Sequence, residues 1–146
     1  MKPAPKNWPR LSTALYYRDP RAAIEWLVKA FGFEVRLIVE GDNGSIRHSE
    51  LSFGEGLIMV SAAVKEDRSE WSYRRSPLDI DGGNTQSLQV YVDDAEEHFK
   101  KAQAAGAKIV SELKTVDYGE GYWSDRIYEA ADLEGHHFWF SQRLRG

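Results

Sequence analysis

Apolar positions along this chain recur with two different periods in a set order, and that order occurs twice. Over Leu11–Tyr17 the pattern alternates, with Leu11, Thr13, Leu15 and Tyr17 on one side and Ser12, Ala14 and Tyr16 on the other, as a half-buried strand requires. Asp19-Pro20 then offers a helix cap followed by a first-turn proline. Across Arg21–Ala30 the period lengthens: Ala23, Ile24, Leu27 and Phe31 form one stripe, and Gly32 ends the helix. Phe33–Glu40, Ile46–Phe53 and Leu57–Val60 read as strands joined by the Gly41-Asp42-Asn43-Gly44 and Gly54-Glu55-Gly56 turns. The first half is therefore β-α-β-β-β.

Residues 62–84 lose periodicity, with at most a short helix near Trp71, and end in Asp81-Gly82-Gly83-Asn84. A connection of this length spans modules or covers a site. The pattern then restarts. Leu88, Val90 and Val92 alternate with Ser87, Gln89 and Tyr91; Asp93-Asp94 caps a helix striped by Phe99, Ala102 and Ala105 and ended by Gly106. Lys108–Leu113, Tyr122–Ala130 and His137–Ser141 supply three more strands. The two halves form an internal repeat at an offset of about 75 residues, with Ser12 over Ser87, Tyr16 over Tyr91 and Asp19 over Asp94. This organisation predicts one domain, 1–146, with module one at 10–62, a connection at 63–85 and module two at 86–143. Before it, Pro3, Pro5 and Pro9 make residues 1–9 an extended arm that Trp8 anchors to the body.

Composition narrows the functional classes. A length of 146 residues suits one domain with a sizeable core. The net charge of −4, with basic residues scattered apart from Arg74-Arg75 and the Arg143/Arg145 tail, gives no footprint for nucleic acid. Having no cysteine, the chain has no disulfide, thiolate nucleophile or cysteine-based metal site, which suits the cytoplasm. The N-terminus has no apolar signal region, and no apolar run approaches the roughly 20 residues that span a bilayer, so no membrane role is expected. Five tryptophans are more than a small core requires and leave some to line a cavity. No phosphate-cradling loop, nucleophile elbow or HExxH metal motif is present.

The punctuation carries a resemblance. Tyr17-Arg18-Asp19-Pro20, Ala30-Phe31-Gly32-Phe33, Tyr91-Val92-Asp93-Asp94, Ala104-Ala105-Gly106-Ala107, Tyr118-Gly119 and Asp132-Leu133-Glu134-Gly135-His136 follow one another over nearly the whole chain. In that succession the chain resembles the vicinal oxygen chelate superfamily, which includes glyoxalase I, extradiol dioxygenases and bleomycin-resistance proteins, closest to its PhnB-like and bleomycin-resistance-like branch. The resemblance implies an α+β fold in which two βαβββ modules form curled mixed sheets around a cavity. It also implies a homodimer, leaving open whether modules pair within a chain or across two. Metal-binding members carry a His, Gln or Glu ligand on the first and last strand of each module. Here those positions hold Ser12, Met59, Ser87 and Trp139, with Val60 replacing Met59 if the register shifts by one. Such a shell suits a divalent cation poorly, so no metal and no other cofactor is expected.

Strand parity predicts which residues face the cavity, and a one-residue slip inverts the assignment. In module one these are Ser12, Ala14, Tyr16, His48, Glu50 and Met59; in module two, Ser87, Gln89, Tyr91, Arg126, Tyr128, His137 and Trp139. Arg126 reads as a clamp for a carboxylate or phosphate, or as half of a structural salt bridge. Trp139, Trp123, Tyr16, Tyr91 and Tyr128 read as an aromatic box or as core. His48 and Glu50 form either a structural or ligand-contacting pair or a weak catalytic or metal-binding candidate, and His136 reads as a turn-fixing or surface residue. Trp71, Tyr73, Arg74 and Arg75 offer a cover for the cavity or a solvated loop. The favoured function is metal-independent binding of a planar aromatic or cationic small molecule, of the sequestration or resistance type. The alternatives are a lyase, isomerase or dioxygenase with a divalent metal on displaced ligands such as His48 and Glu50, a metal-free acid–base catalyst using that pair, and a regulatory module with a filled cavity.

Overall fold

In the computed structural model, which describes residues 1–65 and 70–146, each half of the chain builds its own four-stranded mixed sheet. Module one comprises β1 (Thr13–Tyr17), α1 (Pro20–Phe31), β2 (Glu34–Glu40), β3 (Ile46–Phe53) and β4 (Gly56–Ala62). Module two comprises β5 (Ser87–Tyr91), α2 (Ala95–Ala104), β6 (Lys108–Asp117), β7 (Ser124–Ala131) and β8 (His137–Arg145). The strand orders are β1-β4-β3-β2 and β5-β8-β7-β6, with the first strand of each module parallel to its last and every other pair antiparallel. The repeated β-α-β-β-β order is as the periodicity predicts, and the α+β class is as the resemblance implies.

Local chemistry sets the helix ends. Asp19 Oδ1 accepts a hydrogen bond from the Ala22 N–H and Pro20 occupies the first turn of α1, while Gly32 closes the helix at φ 80°. Asp94 Oδ1 accepts from the Glu97 N–H at the start of α2. In the connection the short helical turn lies at Pro77–Asp79 rather than near Trp71. Ser76 and Asp79 there cap each other's backbone N–H groups, which stabilises a turn at that point. Residues 66–69 of the expected connection lie outside the described residues.

The two helices pack on each other, and the helix-facing sides of both sheets share one core. Phe31 of α1 reaches into module two, with ring centroids 5.0 Å from Phe138 and 4.7 Å from Phe140. His98 of α2 joins this seam. Its Nε2 donates to the Phe31 carbonyl at 2.8 Å, so its Nδ1 accepts from the Tyr128 hydroxyl at 2.6 Å. Burial lowers the His98 pKa and raises that of Tyr128, which keeps the imidazole neutral and the phenol protonated in this arrangement.

A second junction is polar. Asp132 Oδ1 accepts the backbone N–H groups of Glu134, Gly135 and His136, and its Oδ2 accepts the Tyr17 hydroxyl at 2.6 Å. Glu134 Oε1 accepts from the Arg18 N–H and the Ser76 hydroxyl, and its Oε2 from the Asp19 N–H. His136 donates from Nε2 to the Tyr16 carbonyl at 2.8 Å. The β7–β8 turn thereby ties module two to the β1–α1 corner of module one and to the connection. Gly135 adopts φ 102°, and a Cβ there would lie 3.2 Å from Pro77 Cβ, so this turn admits glycine on both counts.

Candidate functional site

The shared core occupies one face of each sheet, and the opposite faces carry the candidate residues. In module two, the register aligns these in rows across the strands. Ser87, His137, Ala131 and Lys108 form the first row, followed by Gln89, Trp139, Glu129 and Ser111; then come Tyr91, Ser141, Ile127 and Lys114. Arg143 and Asp125 continue the face at its far end.

Trp139 sits half-buried at the middle of this surface. On one side of it, His137 Nδ1 lies 2.6 Å from Glu129 Oε1. On the other, buried Asp125 accepts from Arg143 Nε at 2.5 Å and from the Tyr91 hydroxyl at 3.3 Å, and Arg143 also donates to the Tyr91 oxygen. The Arg143 guanidinium lies between the Tyr91 ring at 5.2 Å and the Trp123 ring at 5.1 Å. The face is thus an indole platform with a carboxylate–imidazole pair at one end and an arginine held by two aromatic rings at the other.

Module one repeats the plan with different occupants. Ala14 pairs with Met59 as Gln89 pairs with Trp139, which places Met59 and Trp139 at equivalent points of the two sheets. Glu50, like Glu129, lies on the third strand of its module, and its Oε1 is 3.0 Å from His48 Nε2. Its Oε2 is 3.3 Å from Arg36 Nε. Arg36 in turn donates to the Asn7 carbonyl and lies 5.4 Å from the Trp8 ring, so the N-terminal arm is anchored beside Glu50. Ser49 Oγ donates to the Val60 carbonyl and accepts from the Val60 N–H, replacing a rung of the β3–β4 ladder.

Of the residues chosen from the sequence, Tyr16, His48, Glu50 and Met59 share the outer face of module one. Gln89, Tyr91, His137 and Trp139 share that of module two. Arg126 and Tyr128 face the other way. Tyr128 is fully buried, bonded to His98 and edge-on to Phe99. Arg126 pairs with Gln142, whose side chain accepts from the Ala95 N–H of α2, and donates to Thr115. Parity fails in β7 because this central strand is buried on both faces, so polar and apolar residues do not alternate along it. Asp125, Ile127 and Glu129 take the outward positions instead. Sequence reasoning missed Glu129, Asp125 and Arg143. Their signal is the two-residue spacing that matches His137, Trp139, Ser141 and Arg143 across the ladder.

Metal-binding relatives would use the positions of Ser12, Met59, Ser87 and Trp139. Hydroxyl, thioether and indole groups are not the carboxylate or imidazole donors that divalent ions require. Among the described residues, no group of three or more His, Cys, Asp or Glu side chains is arranged to hold a metal. No described helix is long and apolar enough to cross a membrane.

Comparison with known proteins places this architecture. The model of the Glyoxalase/Bleomycin resistance protein/Dioxygenase superfamily matches residues 11–140. The Mycobacterium bovis protein Mb0911c is 30% identical over 137 residues, covering 94% of this chain and 85% of that protein. The crystal structure of TioX from Micromonospora sp. ML1 superposes with a TM-score of 0.68 at 33% identity, over 92% of this chain and 95% of TioX. TnmS3, an antibiotic binding protein from Streptomyces sp. CB03234, shares the fold with a TM-score of 0.64 at 16% identity, over 90% of this chain and 93% of TnmS3. The chain belongs to the glyoxalase/bleomycin resistance protein/dioxygenase superfamily.

Proposed function

We propose that the protein binds a planar aromatic or cationic small molecule on the outer face of module two, without a metal, in a sequestration or resistance-type role. The observation that carries this reading is Trp139, partly exposed at the centre of the face with the Glu129–His137 pair beside it. An indole offers a stacking surface, and an adjacent carboxylate complements a cation or N–H donor on the ligand edge. The net charge of −4 favours approach of a cation. That TnmS3, of the same fold, is an antibiotic binding protein supports small-molecule binding as the role.

Fluorescence titration with a panel of planar cations tests the proposal. Quenching should saturate in the wild type and be lost in Trp139→Leu; no response across the panel overturns it. The same reading takes the working unit to be a homodimer, in which a second copy covers the outer faces. Val35, Leu37 and Val39 of β2 and Tyr91 and Trp123 of module two are exposed and fit such burial. Light scattering on the purified protein should give twice the chain mass.

A second reading draws on the His48–Glu50 pair: a lyase, isomerase or dioxygenase using these as displaced ligands. It requires metal in stoichiometric amount in the purified protein, lost in His48→Ala. Elemental analysis giving that result would replace the first reading.

A further inference from the structure

The connection between the modules carries a cluster that the preceding reading leaves unused. The guanidinium of Arg74 lies 4.7 Å from the Trp71 ring, 5.5 Å from the Tyr16 ring and 5.7 Å from the Tyr73 ring, all within the range of an effective cation–π contact. Tyr16 and Tyr73 meet edge-on, with ring centroids 6.3 Å apart. The backbone holds the group in place: Arg74 N–H donates to the Trp71 carbonyl, and the Arg74 carbonyl accepts from the Val64 N–H just beyond β4. Among the described residues Arg74 forms no ion pair with a carboxylate, and its one side-chain hydrogen bond is a long 3.5 Å contact to the Tyr73 hydroxyl. Glu70 supplies only a longer-range attraction. The three rings, rather than a carboxylate partner, surround this cation.

We propose that Tyr16, Trp71 and Tyr73 form a binding cage for a quaternary ammonium or other delocalised organic cation, in which Arg74 is an intramolecular stand-in that the ligand displaces. Trp71 and Tyr73 are 49% and 65% exposed, so a ligand reaches the cage without opening the core. Tyr16 and Tyr73 also border a cavity of about 370 Å³ that runs past Pro77 and Ile80 to Gln86 and His136 and accommodates the rest of such a molecule. The ligand class is an organic cation whose body fits this cavity. The cage lies on module one and the connection, so it stands independently of the Trp139 face.

Choline and its neutral isostere 3,3-dimethylbutan-1-ol are the probes, titrated calorimetrically against the full chain. Removing the stand-in with Arg74→Ala, or with Arg74→Gln as a second variant, should tighten choline binding about tenfold relative to wild type, a factor in the range set by contact with aromatic faces. Adding Trp71→Leu to Arg74→Ala should cancel the gain. The isostere should bind at least about tenfold more weakly than choline, and Trp139→Leu should leave choline binding unchanged. The proposal is overturned if neither Arg74 variant binds choline more tightly than wild type, if Trp71→Leu has no effect, or if the isostere binds equally well. Loss of choline binding in Trp139→Leu would move the site to module two and overturn it too.

Discussion

The repeat creates two junctions between modules that should be alike and are not. At one, the β7–β8 turn of module two meets the β1–α1 corner of module one, and the space is filled by Tyr17, Asp132, Glu134, Ser76 and His136 with their hydrogen bonds. At the other, the Gly54-Glu55-Gly56 turn of module one meets β5 of module two. There Val92 stands at the repeat position of Tyr17, and a cavity of about 460 Å³ opens among Phe33, Phe53, Leu57, Leu88 and Val90. Two turns at equivalent places thus have opposite characters. A carboxylate that accepts four donors holds its junction at one geometry, whereas at the other an exposed hydrogen bond from Gln86 to Thr13 borders a cavity with several apolar walls and fixes the geometry less firmly. Sequence repetition supplied the two sites, and a handful of polar side chains made one of them a fixed joint.

The strongest way to break this contrast is Asp132→Ala, which strands the Glu134 and His136 N–H groups and the Tyr17 hydroxyl and leaves the Gly135 N–H only the residue-132 carbonyl. It should cost about 3–5 kcal/mol of stability in urea unfolding, while Glu55→Ala in the other turn should change it by less than about 0.5 kcal/mol. Equal effects would dissolve the distinction. Tyr17→Phe removes a single donor and should cost about 1–2 kcal/mol by the same measurement. Arg36→Ala probes the difference between the two carboxylates: Glu50 has Arg36 and His48, Glu129 has His137. Arg36 is about one-third exposed, so the loss should be about 1 kcal/mol, together with faster proteolysis of the arm that it anchors.

The smallest effect is a pH slope. His98 has a folded pKa below its unfolded value because of burial, so its contribution is complete above pH about 6.5 and declines as pH falls toward the folded pKa. Asp132, raised by burial, acts in the opposite sense, its contribution declining as pH rises through its folded pKa. The wild-type slope minus that of His98→Gln isolates the histidine, and that difference should show stability rising with pH below 6.5. A zero difference would mean that His98 is as readily protonated in the folded chain as in the unfolded one.

Much of the fold was legible because most strands are apolar on one face only. The alternation over Ser12–Tyr17 and Ser87–Val92, and the stripe of Ala23, Ile24, Leu27 and Phe31, translate directly into buried and outer residues. β7 is the exception: Ile127 and Tyr128 are both buried, which removes the contrast that parity needs and misdirects Arg126 and Tyr128. His98 escaped notice because a polar residue on the apolar stripe of α2 signals nothing until its partners, the Phe31 carbonyl and Tyr128, are known. The Asp132–Gly135 turn was readable as a turn. The role of Glu134 was not, since Arg18, Asp19 and Ser76 lie far away along the chain. The Glu129–His137 pair was hidden because parity in β7 put Arg126 and Tyr128 on the outer face and so turned Glu129 inward, although His137 and Trp139 stood out as candidates.

Parallel pairing of the first and last strands of each module has a consequence for how the chain is made. β1 can join its sheet only when β4 has been synthesised, and β5 only when β8 has emerged. Module one can therefore close during translation, but Phe31 finds Phe138 and Phe140 only after β8 has been made. Until then a growing chain presents an unpaired aromatic seam, and contacts between distant segments make the last step slow. The nine residues of β8 thus complete the second sheet and cover that aromatic seam in one step.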